Sequence, residues 1–135
     1  MPTFLAATAI LALLAAPLRA EPAAEAIRGV ISDQIAAFLA DDVATAFTFA
    51  SPGIKGLFQT PERFGAMVRQ GYPMVWRPGE WHYLGLDGTG EVRRQIVEIT
   101  DRAGRTFRLE YSMLRTDEGW RIDGVRFLPA PPPMT

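Results

Sequence analysis

Residues Asp117–Phe127 read DEGWRIDGVRF, and their apolar positions change parity halfway along. Trp120 and Ile122 fall on one face of an extended chain, Val125 and Phe127 on the other. Side chains alternate strictly across a strand, so an unbroken register would turn half of this apolar set to water. One extra residue in one strand, a β-bulge, removes the conflict. Asp123-Gly124 stands at the switch, where a glycine able to take positive φ is a natural residue. Because bulges bend a strand and increase its twist, the sheet that holds this one is expected to be curved.

Upstream, turn signals recur at regular spacing: Asp87-Gly88-Thr89-Gly90, Asp101-Arg102-Ala103-Gly104 and Asp117-Glu118-Gly119. They delimit four strands, near Glu80–Leu86, Glu91–Thr100, Arg105–Thr116 and Trp120–Leu128. In the third, Phe107, Leu109, Tyr111 and Met113 alternate with Arg108, Glu110 and Ser112, which marks one buried and one wet face. Connections this short make neighbours antiparallel, so the second half of the chain is a meander.

The first half has helical periodicity. Between Ala23 and Leu39, Ile27, Val30, Ile31, Ile35, Phe38 and Leu39 share one helical face. Asp41-Asp42 then cap a shorter helix, Val43–Phe49; adjacent carboxylates diverge on a helix, which favours capping over a shared catalytic proton. Next comes AFTFASPGIKGLFQTPERFGAM, Ala46–Met67, with four phenylalanines, two prolines and three glycines. Ser51-Pro52 and Thr60-Pro61 each put a hydroxyl at an N-cap and proline at the first helical position, so two helices restart there. The second, Pro61–Gln70, presents Phe64, Met67 and Val68 on one face, and Gly71-Tyr72-Pro73 stops it. Arg63 stands where Glu or Gln would complete a capping box. The whole is α+β: N-terminal helices packed on a curved four-stranded antiparallel sheet.

At 135 residues the chain supports one domain, and 48% apolar composition is ample for its core. Thr3–Leu18 is apolar without a side-chain charge and is followed by Leu18-Arg19-Ala20, the pattern of a secretory leader cleaved near Ala20. The expected organisation is therefore a leader at 1–20, a domain at 21–128 and a disordered proline-rich tail at 129–135. The protein is expected in the periplasm or outside the cell, meeting a membrane only during export. Export permits disulfides, but the chain has no cysteine, so the core alone must hold it together. Removing Arg19 leaves 13 basic against 15 acidic residues, a net charge of −2 that attracts neither nucleic acid nor anionic lipid.

Taken together, the helices, the broken AFTFASPGIKGLF-TPERF-MV segment and the terminal DEGWRIDGVRF strand resemble the nuclear transport factor 2-like, or cystatin-like, superfamily. More narrowly, Asp41-Asp42, Ala46-Phe47, Phe49-Ala50-Ser51-Pro52, Phe64, Met67-Val68 and Tyr72 resemble a domain-of-unknown-function family of small exported bacterial proteins. The likeness runs from Ile27 to Leu128. It implies a cone: a long helix cradled by the curved sheet, with a cavity between them whose open end the short helices cross. It implies no particular activity, because the superfold hosts unrelated functions.

Chemistry-bearing motifs are sparse. One histidine and no cysteine give no zinc set, and Gly88-Thr89-Gly90 is a hairpin turn, not a dinucleotide loop. No catalytic, cofactor or metal residues are assigned, and no cofactor is expected. His82, between Trp81 and Tyr83, is the side chain whose unperturbed titration falls near neutrality. It carries the alternative reading, a cofactor-free isomerase or lyase using His82 or a pocket carboxylate such as Glu98 or Asp123. The leading reading is a non-enzymatic binding module for a small hydrophobic ligand or a protein partner. Candidate pocket residues are Phe47, Phe49, Phe58, Tyr72, Trp76, Tyr83, Tyr111 and Trp120, since tyrosine and tryptophan carry polar handles that suit a cavity wall. The same rings can instead fill the space between helix and sheet. Arg108 with Glu110, and Arg121 with Asp123, suit a solvated sheet face or a homodimer contact.

Overall fold

A computed structural model describes residues 22–129, together with residue 3. Apart from residue 3, the leader expected at 1–20 lies outside the described residues, as does the tail expected at 129–135 apart from Pro129. Five helices come first: α1 Pro22–Leu39, α2 Val43–Thr48, α3 Pro52–Phe58, α4 Pro61–Gly71 and α5 Pro73–Trp76. Four strands follow, β1 Pro78–Asp87, β2 Val92–Asp101, β3 Thr106–Thr116 and β4 Gly119–Phe127, in one antiparallel sheet of order β1-β2-β3-β4. The α+β meander read from the turn signals is the fold.

The α1 face is carried by Ile27, Ile31, Ile35 and Phe38, all without exposure, while Val30 is half-buried and Leu39 is exposed at the helix end. They form one core with Val97 and Ile99 of β2, Leu109 and Met113 of β3, and Trp120 and Ile122 of β4. The inner face of the sheet thus meets the helices. Its outer face carries paired charges, Arg108–Glu98 at 3.1 Å and Arg126–Glu110 at 2.8 Å.

The parity change in β4 is a bulge. Ser112 pairs with Gly124 and Met113 with Ile122, which leaves Asp123 outside the ladder and keeps Ile122 and Val125 on the same side. Gly124, however, is not among the residues at positive φ, so the bulge does not need glycine for its backbone angles. The conformational demand falls on the turns instead. Gly88 sits at φ 90°, and a Cβ there would stand 2.7 Å from the Val92 carbonyl oxygen. A second irregularity lies in β1, where Tyr83 pairs with Val97 but Leu86 with Gln95. The Gln95 amide nitrogen reaches the Leu84 and Gly85 carbonyls at 3.1 and 3.2 Å, satisfying groups the ladder leaves free. Both edge strands carry such a register shift, a feature that bends a strand and increases its twist.

The helix breaks follow their caps. Asp42 accepts from Thr45 N at 3.0 Å at the start of α2, Ser51 from Ile54 N at 3.2 Å, and Thr60 from Arg63 N at 3.2 Å. Asp41 does not share the capping of α2. It takes a left-handed φ of 56° beyond α1 and pairs with Arg77, whose guanidinium also donates to the Phe38 carbonyl at 2.7 Å. Pro73 does not end the helical half. It opens the further turn α5, whose Met74 and Val75 are buried, because proline is compatible with a first turn. Gly65 lets α4 approach α2 closely, since a Cβ there would lie 2.6 Å from Val43 Cγ1.

Candidate functional site

Between the helices and the β3–β4 side of the sheet lies a cavity of about 220 Å³. The strands contribute Tyr111, Ile122 and Val125; α1 contributes Gln34 and Phe38. Opposite them, α3 presents Ile54, Leu57 and Phe58, and α4 presents Phe64, Met67 and Val68. The local causes are traceable. The β4 bulge keeps Ile122 and Val125 facing inward together, and the proline-initiated restarts turn α3 and α4 across the opening.

The cavity spans a range of exposure. Leu57 in its lining is 70% exposed, whereas Tyr111 presents no surface to a water-sized molecule. No charged side chain lines it, and its polar side chains are Gln34, Tyr72 and Tyr111. Two of these have partners: Gln34 Nε2 donates to the Ala46 carbonyl at 3.1 Å, and the Tyr72 hydroxyl donates to the Val125 carbonyl at 2.9 Å. The Tyr111 hydroxyl has none. Burial pushes its pKa up from the ordinary tyrosine value, and the neighbouring Tyr83 and Tyr72 add to the shift, so the group stays protonated. Gln95, its partner across the β2–β3 ladder, is equally buried with an unpaired Oε1, so the two are not bonded to each other. A buried hydroxyl without a partner costs free energy, typically about 1–3 kcal/mol, unless something else meets it.

Of the aromatic residues proposed from sequence, Phe58, Tyr72 and Tyr111 come together in this lining. Phe47 packs 5.3 Å from Phe64, and Trp76 packs between Phe38 at 5.5 Å and the Arg77 guanidinium at 4.8 Å. Phe49 is half-buried, its carbonyl accepting from Ile122 N at 2.8 Å. Tyr83 turns to α1, where its hydroxyl bonds Ser32 Oγ and donates to the Arg28 carbonyl at 2.9 Å. Trp120 is buried in the core.

The titratable candidates sit elsewhere. The His82 side chain is 61% exposed, 3.8 Å from Glu80, on the opposite parity to Trp81 and Tyr83. Glu98 is held by Arg108, and Asp123 is exposed and hydrogen-bonded by Ser51. Sequence reasoning passed over Gln34, though a polar residue between Ile31 and Phe38 on a buried helical face was a readable signal. Among the described residues no group of three or more acidic, histidine or cysteine side chains converges as a metal site.

The profile of a family described as a domain of unknown function, DUF4864, matches residues 20–135. The chain belongs to this family. No curated protein matches it significantly. In this DUF4864 domain the matched span takes in every element that builds the cavity.

Proposed function

We propose that this DUF4864 domain binds a small, mainly apolar molecule in the cavity between α3, α4 and the β3–β4 side of the sheet. The supporting observation is a cavity of about 220 Å³, uncharged and apolar over most of its wall. Small-molecule sites have this composition: mostly hydrophobic walls with a few placed polar groups. Most of the apolar lining is buried or half-buried, with Leu57 the exposed exception, which suits a small molecule better than a protein partner. His82 and the strand carboxylates face away from it or are held by arginine or serine partners, so binding accounts for the site better than proton-transfer chemistry.

The reading extends to setting. The helix-first order, the antiparallel sheet and the bulged edge strands fit a member of the nuclear transport factor 2-like superfamily, and the Thr3–Leu18 run fits export before the domain acts in the periplasm or outside the cell.

The test is a titration of the full chain with toluene, followed by methyl NMR. Resonances of Val68, Ile122 and Val125 are expected to shift in a saturable way while that of Ile27 stays in place. Absence of saturable shifts, or shifts spread evenly over the core, would refute the site.

A further inference from the structure

We infer that the molecule held in this cavity is electrically neutral and carries a hydrogen-bond donor, a hydroxyl or N–H, that it gives to Gln34 Oε1. The inference rests on the cavity reading and adds the chemical class of the ligand.

Gln34 lies on the α1 face that also carries Ile31, Ile35 and Phe38, and it is 3% exposed. Its amide has one orientation: Nε2 donates to the Ala46 carbonyl at 3.1 Å, and turning the group round would set two oxygens against each other. Oε1 is left with no donor among the described residues. It differs in one respect from the Tyr111 hydroxyl and Gln95 Oε1, which are unpaired and closed to a water-sized molecule: Gln34 Oε1 is unpaired and not closed off. On so buried a side chain that opening is internal, onto the cavity that Gln34 lines.

A second acceptor stands in the same wall. The Tyr72 hydroxyl gives its hydrogen to the Val125 carbonyl, so its oxygen can only accept from a ligand. Charge then decides which donors qualify. No described lysine, arginine, histidine or carboxylate lines the space, so an ammonium donor would lose its hydration with no opposite charge to replace it. A neutral hydroxyl or N–H avoids that cost. Size sets the rest. A cavity of about 150 Å³ takes benzene, so one of about 220 Å³ suits on the order of nine non-hydrogen atoms. One or two small rings with a single O–H or N–H meet these conditions.

Four probes of nine non-hydrogen atoms separate the possibilities: indole, which has an N–H; indene, its apolar shape analogue; acetophenone, which can only accept; and the phenethylammonium cation. Affinities are measured by NMR titration on the wild-type full chain and on Gln34→Met, which keeps the length of the side chain and lacks the amide. The Ala46 carbonyl keeps the Phe49 N–H at 3.3 Å in that variant, and a cooperative melt certifies its fold. Indole is expected to bind the wild type most tightly, and the ratio of indole to indene affinity is expected to fall about fivefold in Gln34→Met, the loss of one net hydrogen bond. An unchanged ratio in the folded variant would overturn the Gln34 contact and leave the apolar cavity standing. If acetophenone alone loses affinity there, the amide N–H is the contact and the donor assignment is wrong. Phenethylammonium binding more tightly than indole would overturn neutrality. Should Gln34→Met not fold, the wild type decides: a nuclear Overhauser contact between the indole N–H and the Gln34 side chain supports the inference, and its absence at saturation refutes it. If no probe binds the wild type, the cavity reading itself falls and this inference with it.

Discussion

The Ser51 hydroxyl donates to Asp123 Oδ1 at 2.6 Å while accepting from Ile54 N at 3.2 Å. The residue that the bulge expels from the β4 ladder is therefore the one that fastens the start of α3, and with it one wall of the cavity. The backbone repeats the link on both sides: Ser51 N donates to the Ile122 carbonyl and Ile122 N to the Phe49 carbonyl, each at 2.8 Å. Ser51 has no exposure while Asp123 is exposed, so truncating Asp123 lets water take the place of its carboxylate at the Ser51 hydroxyl.

Ser51→Ala loses an N-cap and a charge-assisted hydrogen bond, and we expect a destabilisation of about 1–2 kcal/mol in urea unfolding. Asp123→Ala should cost less, because its carboxylate is exposed and only its partner is buried. The double variant should cost less than the two singles together. Strict additivity would show that the two residues do not act as a unit.

The close approach of α4 to α2 at Gly65 gives a second expectation. Gly65→Ala improves helix propensity by up to about 1 kcal/mol, yet its Cβ would meet the stiff Val43 side chain at 2.6 Å. Overpacking of this kind costs roughly 1–3 kcal/mol, so the clash should win and the variant should lose about 1 kcal/mol. Val43→Ala in the same chain is expected to recover most of the loss. A stabilised Gly65→Ala would show that the helices can move apart freely.

Much of this architecture was readable because its signals are local. The bulge at Asp123 follows from Trp120, Ile122, Val125 and Phe127 alone, and the restarts at Pro52 and Pro61 from a hydroxyl followed by proline. Other features depend on partners distant in the chain. The bulge of β1 is settled by Gln95, the left-handed Asp41 by Arg77, and the turn α5 by the burial of Met74 and Val75, none of which a local pattern carries. The cavity is harder still. Phe38 and Val68 have the same helical spacing whether they face a filled or an open volume, so periodicity locates the inner face without saying how much of it is occupied.

Acid stability should depend on Glu110. Hydrogen bonds from Arg126 at 2.8 and 3.2 Å, with attraction from the Arg126 and Arg94 charges, hold its pKa below the ordinary carboxylate value despite an opposing effect of burial. A group whose folded pKa is depressed stabilises the fold in full above its unfolded pKa, about 4.3, and loses that contribution as pH falls through the folded value. The wild type should therefore exceed Glu110→Gln in stability at pH 7, by no more than about 1 kcal/mol because Arg126 is largely exposed. The gap should narrow below about pH 4. Urea midpoints at pH 7, 4 and 3 check this, and a gap independent of pH would assign the effect to shape instead of charge.

Leu57 offers a way to change ligand entry without disturbing the fold. It lines the cavity yet is 70% exposed, on a helix with no fully buried residue, so its side chain contributes little to the core. Replacing it with aspartate places a charge at the mouth of an otherwise uncharged space and removes apolar surface that a ligand would cover. Surface substitutions of this kind usually change stability by no more than about 0.5 kcal/mol. Lost contact with a large aliphatic side chain, at about 25 cal/mol per Å² of apolar area, is worth roughly 1 kcal/mol to a ligand, or about fivefold in affinity. We therefore expect Leu57→Asp to melt like the wild type and to bind toluene several-fold more weakly. Leu57→Met should bind it normally, since methionine restores the apolar cover. Equal affinity in all three chains would move the ligand path away from α3, whereas a lowered melting temperature in Leu57→Asp would mean that α3 is held down by Leu57 itself as well as by the Ser51–Asp123 tie.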